Sequence, residues 1–306
     1  MKPDKIKTLS KVFGTILCIS LISAFLLYLL SGNYKDYTAV SSDSSLVNAE
    51  DTVCFTDVGQ GDCTLIYSRG RTALIDTGTP ESAHKLCKSL RSKGIKTIDA
   101  LIITHFHDDH YGGANEIAEM FEIKNLIMPD MAKTDENIAD ATELKKSVLA
   151  EDNEVYVARK GMNFSVGNFN LTIVGYYPDL SEENDRSLCI MAENKGKRIL
   201  FTGDASSSVE ERLQNDGIDL NCDILKIGHH GSSSSTSENF LSATSPDYAI
   251  ISCGENNIYG HPHKLLLERL TTHKSDIYRT DKSGDIVFEL KDGKITDIQK
   301  SSPNEG

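Results

Sequence analysis

Three short apolar runs in this chain each end in side chains able to bind a metal. That recurrence restricts the fold more than any other feature. The run ALII ends at Ile103 and leads into THFHDDHYGG, which packs three histidines and two aspartates into the seven positions 104–110. RILF, ending at Phe201, leads into TGDA and Asp204; DILK leads into IGHHGS, with His229 and His230. Apolar runs this short, bounded by polar residues and glycine, read as buried strands. Strands that all end in ligands place them along one edge of a sheet sandwich, where residues far apart in sequence meet. His105 and His107 alternate, so on an extended strand end they point the same way. Asp109 and His110 face neighbouring positions once the chain bends, and Gly112 and Gly113 permit a sharp turn into a helix. Imidazole nitrogens suit zinc and related divalent cations. TGD alone is a common turn; its meaning comes from its place in this series.

The rest of the chain sets the frame. With 306 residues there is ample length for a core in one large domain or two small ones. The net charge of -13 excludes a general nucleic-acid binder, because non-specific binding needs phosphate-neutralising Lys and Arg. Cutting nucleic acid at a locally positive site stays open, since bound cations supply such charge.

The amino-terminal segment differs from the body. Lys2, Lys5, Lys7 and Lys11 precede residues 12–30, VFGTILCISLISAFLLYLL, nineteen residues without a charge. This predicts one transmembrane helix, with residues 1–11 in the cytoplasm and the body outside the cell. A cleavable signal peptide, and hence a secreted protein, is the alternative. The absence of a clean Ala-x-Ala site after the run favours the uncleaved anchor. Residues 31–50, Ser-rich and polar, read as a flexible linker. The folded domain is predicted over residues 51–300. Seven cysteines, at 18, 54, 63, 87, 189, 222 and 253, form no C-x-x-C pair and mostly sit in apolar stretches. They read as buried small hydrophobes.

Within the domain, strands are predicted at 53–58, 64–67, 72–76, 98–103 and 125–128, with helices at 81–93, 112–121 and 137–149. In the second half the predicted strands are 161–166, 169–175, 187–192, 198–201, 223–227, 248–251, 277–278 and 286–290. Its helices are 206–214, 237–241 and 262–272. Two β-rich halves, each finished by helices, predict a mixed α/β fold, a four-layer αββα sandwich.

HFHDDH, LIDTG (residues 74–78), FTGDA and IGHHGS, in this order, resemble the metallo-β-lactamase fold over nearly the whole folded part. FTDVGQGDC, NDRSLCI, LKIGHHGSSSSTS, YGHPH and YRTDKSGDI narrow the resemblance to the extracellular C-terminal domain of ComEC-type competence proteins. The large polytopic channel of those proteins has no counterpart here, so DNA uptake is not expected to carry over. The resemblance implies two divalent cations, Zn²⁺ or Mn²⁺. His105, His107 and Asp204 would hold one, with a residue near Asn184 or Asp185. Asp109, His110, Asp204 and His229 would hold the other. Many hydrolases of the fold carry a histidine where this chain has NDRS. Asp185 as an oxygen ligand there tilts the position toward Mn²⁺ or Mg²⁺. Neighbours on an extended segment face opposite ways, so only one of His229 and His230 should be a ligand. The family pattern favours His229.

Two cations in such a site would activate water and clamp the oxygens of a phosphoester. Asp109 is expected to orient the attacking water, and His261 to protonate the leaving group or hold substrate. Asp57, Gln60 and Asp62 lie in a strand-end turn that would approach the metals. Asp76 is expected to hold loops by hydrogen bonds. His230, Ser232 and His263 are expected near the substrate, the GSSSSTS loop offering donors to phosphate. That loop also reads as a Ser235–Glu238 helix cap.

The leading expectation is therefore a membrane-anchored, extracellular, metal-dependent phosphodiesterase or nuclease, with a phosphodiester substrate, DNA among the candidates, and no obligate protein partner. Two others compete. One is hydrolysis of another ester: a cell-wall phosphodiester such as a phosphorylcholine ester, a lactone or a β-lactam. The other is a non-catalytic metal-binding module.

Overall fold

The computed structural model describes residues 51–131, 138–150 and 153–302. The anticipated transmembrane helix, at residues 12–30, and the linker lie outside them. Among the described residues no helix is long and apolar enough to cross a membrane.

The first half runs β1 (Asp51–Phe55), β2 (Thr64–Ser68), β3 (Arg71–Ile75), α1 (Pro80–Ser92), β4 (Thr97–Ile98), β5 (Ala100–Ile102), α2 (Asp108–Tyr111), α3 (Ala114–Met120), β6 (Glu122–Ile123), β7 (Asn125–Met128), α4 (Ile138–Ala150) and β8 (Glu154–Val157). The second half runs β9 (Asn163–Val166), β10 (Phe169–Gly175), β11 (Cys189–Asn194), β12 (Lys197–Phe201), α5 (Ser207–Asn215), β13 (Ile224–Lys226), α6 (Glu238–Thr244), β14 (Tyr248–Ile251), α7 (Lys264–His273), β15 (Asp276–Arg279), α8 (Thr280–Ser283), β16 (Ile286–Lys291) and β17 (Lys294–Lys300).

These strands form an eight-stranded sheet, β17-β16-β1-β2-β3-β5-β7-β8, a seven-stranded sheet, β15-β14-β13-β12-β11-β10-β9, and a separate β4-β6 pair. The sheets share one apolar core: Val53, Phe55, Ile75 and Ile102 from the first meet Leu171, Ile190, Phe201 and Ile250 from the second. A second cluster packs Leu200, Leu225 and Ile251 under Val209, Phe240 and Leu266 of the covering helices. Mixed sheets with helices outside give the anticipated α/β architecture. The runs β3-β5-β7 and β12-β13-β14 are parallel. Their carboxyl ends therefore gather on one edge, where ligands bind in open α/β sheets.

The helix starts obey local chemistry. Thr79 caps α1, accepting from Ser82 N–H, with Pro80 at the first position and Ala83, Leu86, Cys87 and Leu90 buried. Ser237 caps α6 by accepting from Phe240 N–H, so the cap is not at Ser235 as the sequence suggested. The helix anticipated at 112–121 is found as α3, shortened to Ala114–Met120, and a separate single turn, α2, precedes it. Gly112 lies where a Cβ would come within 2.3 Å of both Asp108 O and Pro80 Cδ, so the turn is pressed against α1. The strand β17 was missed: it closes the first sheet as an edge hairpin partner of β16. The six cysteines among the described residues are buried free thiols, as anticipated.

Candidate metal centre

Three strand ends deliver the side chains. β5 runs on through Ile103 into Thr104 and the segment His105–His110. β12 runs into Thr202, Gly203 and Asp204. β13 runs into a tight turn, Gly228–Gly231. That turn changes the argument about the histidine doublet. His229 and His230 both have left-handed backbones, with φ of 49° and 52°, so the premise of an extended segment with opposite faces does not hold. His230 is buried and His229 sits at the rim.

Within the cluster, His110 Nε2 stands 3.1 Å from Asp204 Oδ1 and 3.3 Å from His230 Nε2. His230 Nε2 is 3.1 Å from Asp109 Oδ2 and 3.6 Å from Asp204 Oδ2. His229 Nε2 is 3.7 Å from the same Asp204 oxygen. Ligand atoms of Asp62, His110, Asp204 and His230 all lie within 4.8 Å of one another. Beside them, His105 Nε2 and His107 Nδ1 are 3.2 Å apart, and the His105 ring centroid is 4.1 Å from that of His110. Asp204 Oδ1 is buried and accepts no hydrogen bond among the described residues. A buried carboxylate oxygen without an acceptor role, ringed by imidazole nitrogens, fits a divalent cation.

The surrounding groups orient these donors. Asp76 accepts from Thr104 N–H at 2.8 Å and Thr104 Oγ1 at 2.7 Å, and its Oδ2 is 2.8 Å from His110 Nδ1. This leaves His110 Nε2 facing the centre. Asp76 thus holds the loops, as expected. His230 Nδ1 lies 3.1 Å from the Ser252 carbonyl oxygen, which can only accept, so its Nε2 also faces inward. His105 Nδ1 lies 3.3 Å from Ser187 Oγ.

The charge balance follows from burial. Burial alone would push His110 down, but the Asp204 and Asp76 carboxylates outweigh it and hold it well above the usual histidine range. Against the same burial penalty, Asp204 and Asp62 raise His230 to about 10. Burial opposes ionisation of Asp204 as well, yet the His110 and His230 charges hold it well below the usual carboxylate range. Asp109, opposed by burial but hydrogen-bonded by His230, is held at about 2. Burial and the His110 charge push His105 well below its ordinary value. Burial raises Asp76 despite its hydrogen bonds.

The centre floors a cleft of about 620 Å³, lined among others by Gln60, His107, Asn184, His229, Tyr259 and His261. Gln60 Oε1 accepts from Gly254 N–H at 3.1 Å, tying the first turn to the far wall. Burial and the His230 and His263 charges push His261 down to about 4. Its Nδ1 is buried without a hydrogen-bond partner among the described residues. A larger cavity of about 710 Å³, with Arg69, Arg71 and Lys124 in its wall, lies by the starts of β3, β5 and β7 and holds none of these ligands.

Some anticipated residues sit elsewhere. Asp185 does not face the cluster: its Oδ1 accepts from Ser206 N–H at 3.0 Å and its Oδ2 from Ser208 Oγ at 3.2 Å. The carboxylate satisfies the start of α5, while the neighbouring Asn184 lines the cleft with a buried Oδ1 that has no hydrogen-bond partner among the described residues. Asp57 turns away as well. Its backbone N–H donates to Asp285 Oδ1 at 2.9 Å, and its own Oδ1 accepts from Gly59 N–H at 3.1 Å. Ser232 Oγ closes the serine loop on Ser234, 2.9 Å away. His263 Nδ1 accepts from Ser233 N–H at 3.0 Å, outside the donor cluster. The serine loop spends two further backbone donors, Thr236 and Ser237 N–H, on the buried Glu210 carboxylate. Lys226 was not foreseen. Its Nζ lies 2.7 Å from Asp62 Oδ2, and it is 2% exposed. A lone lysine inside the apolar run ILKI was the available signal.

A sheet sandwich with histidines and carboxylates gathered at its strand ends defines a metallo-hydrolase, and the chain belongs to the metallo-beta-lactamase superfamily, whose model matches residues 56–255. Its relatives include ComEC-type competence proteins. ComE operon protein 3 of Bacillus subtilis is 32% identical over 268 residues, covering 80% of this chain and 34% of that protein. Competence protein ComA of Neisseria gonorrhoeae is 29% identical over 248 residues, covering 80% of this chain and 33% of that protein. The chain thus spans about a third of the length of these relatives. Among solved structures, the metallo-beta-lactamase fold protein YhfI of Bacillus subtilis superimposes with a TM-score of 0.54 at 13% identity, over 79% of this chain and all (100%) of that one. At that identity the likeness is one of fold.

Proposed function

We propose that the chain is a phosphodiesterase using two divalent cations, Zn²⁺ or Mn²⁺, with its domain held outside the cell by the apolar segment 12–30. The observation that carries this reading is the position of Asp204. One of its oxygens faces His110 and the other faces His229 and His230, on the floor of an open cleft. His105, His107 and Asp204 would hold one cation; Asp109, His110, His230 and Asp204 would hold the other. His230 takes the place the family pattern offered to His229, because its Nε2 is the one directed at His110 and Asp109. Bound cations supply Lewis acidity and neutralise charge on a phosphoryl group. The chain's own groups do the rest. Asp109, ionised at neutral pH, orients the attacking water. His229 and Tyr259 bound the cleft beside the substrate. His261 is neutral at pH 7, so of its two anticipated roles holding the substrate fits better than protonating the leaving group. The basic flank of segment 12–30 supports the outward topology. The competence relatives make DNA the first substrate to try.

The test uses the full-length chain in detergent, metal-free or loaded with Zn²⁺ or Mn²⁺, beside Asp204→Ala. Substrates are bis-p-nitrophenyl phosphate and single- and double-stranded DNA. Metal-dependent cleavage that Asp204→Ala abolishes is expected. Metal uptake without cleavage of any phosphodiester would overturn the reading.

A further inference from the structure

We propose that Lys226 is a positioning residue of the metal centre. Through a buried ion pair with Asp62 it reserves that carboxylate for His230 and joins the donors of the two sheets. The proposal rests on the reading of His230 as a metal ligand.

Lys226 ends β13 between Leu225 and Ile227, both fully buried. A charge so placed needs a partner. Its ammonium has two: Asp62 Oδ2 at 2.7 Å and the Ile227 carbonyl oxygen, to which it donates at 2.9 Å. The other Asp62 oxygen, Oδ1, lies 3.3 Å from His230 Nδ1. The chain of contacts therefore runs Lys226, Asp62, His230, Asp109, crossing between the second sheet and the first three times.

Asp62 also anchors the first sheet through its backbone. Its N–H donates to Asp109 O at 3.0 Å, and its carbonyl oxygen accepts from Gly78 N–H at 2.8 Å. One residue thus touches the strand ends that carry Asp109, His230 and the turn after β3. Displacing it would shift all three.

Distance alone would let Asp62 serve as a fourth ligand beside His110, Asp204 and His230. Lys226 decides against that role. The ammonium occupies one carboxylate oxygen and disfavours a second cation on it. The negative charge is left to act through space, from 3.3 Å, on an imidazole whose Nδ1–H is given to the Ser252 carbonyl oxygen, and this makes Nε2 a stronger donor. Well-packed apolar pairs of similar volume often replace buried ion pairs with no loss of stability. Two charges kept in the core, directly behind a ligand, therefore point to a role in the site.

The experiment compares the full-length chain with Lys226→Met and with the double variant Asp62→Asn/Lys226→Met. It measures Tm, Zn²⁺ affinity by chelator competition, and kcat and KM on bis-p-nitrophenyl phosphate. The double variant removes both charges while keeping volume, so its Tm is expected near that of the native chain. Its Zn²⁺ affinity is expected to fall by roughly ten- to a hundredfold, the range seen when outer partners of ligands are removed. kcat should fall with KM little changed. Native Zn²⁺ affinity in the double variant would reduce the pair to a structural one and overturn the proposal. A native chain that takes up no Zn²⁺ would overturn the ligand reading of His230 itself, and the proposal with it.

Discussion

His110 Nε2 and His230 Nε2 stand 3.3 Å apart, although 120 residues separate them in the chain. Both rings have their Nδ1 atoms engaged, one with Asp76 and the other with the Ser252 carbonyl. Two inward imidazolium nitrogens that close are tolerated because the Asp204 carboxylate lies beside both, and a cation would take the place of their protons. Loading the site with metal should therefore expel protons. Calorimetry of Zn²⁺ binding at pH 7 in buffers of different ionisation enthalpy should show at least one proton released per chain. No release would contradict the protonated state inferred for His230.

The same shifts set a stability window for the metal-free chain. His230 is raised from 6.5 to about 10 on folding. Its contribution is therefore fully present below pH 6.5 and is lost as pH rises through 10. Urea midpoints of the metal-free chain should decline over that interval. Zn²⁺, which needs the neutral ring, should bind more tightly over the same interval. A flat profile would count against the buried His230–Asp204 pairing.

Gly61 tests how closely the first turn is fitted to the ligand loop. A Cβ there would lie 2.4 Å from Asp109 O, a backbone atom with nowhere to retreat. Gly61→Ala should displace Asp109 or Asp62, whose N–H bonds that same oxygen. Overpacking of this kind costs about 1 to 3 kcal/mol. Weaker metal binding should accompany the lower midpoint. A variant with native stability and native metal content would show the contact to be slack.

Phe55 tests the core between the sheets. It is fully buried, and its ring centroid lies 6.1 Å from Phe201 of the second sheet and 6.0 Å from Phe288 of its own. Phe55→Ala should lower unfolding stability by about 3 to 5 kcal/mol in urea titrations. A cost under about 1 kcal/mol would mean the sheets re-pack around the gap.

His261 tests the division of labour at the cleft. It lies within ring contact of His229 and Tyr259 but outside the donor cluster. His261→Ala should leave Zn²⁺ stoichiometry unchanged and raise KM for a phosphodiester about ten- to a hundredfold, the worth of a hydrogen bond to a charged group. A fall in kcat alone, with a lost acidic or basic limb in the pH profile, would restore the leaving-group role.

Much of the fold was legible because its signals are local. Buried strands with polar ends, the amphipathic helices near 81–93 and 206–214, and the glycines after His110 depend on neighbours in sequence. The strand β17 was not legible. Its two apolar residues, Ile295 and Ile298, are three apart, which breaks a period of two. A bulge at Thr296 of β17, opposite the step from Glu289 to Leu290, brings both against the core, opposite Leu290 and Phe288.

The site divides in the same way. That His105, His107, His110 and Asp204 come together was written in the sequence, since each follows an apolar strand and parallel strands end on one edge. Which member of the His229–His230 doublet turns inward was not, because two left-handed residues in succession depend on how the loop packs. The capping of α5 by Asp185, the turning away of Asp57 and the pairing of Lys226 with Asp62 are also tertiary. Each rests on a partner that sequence periodicity does not bring near. Periodicity sets which face a side chain leaves from, and only the packing of the two sheets determines what that face meets.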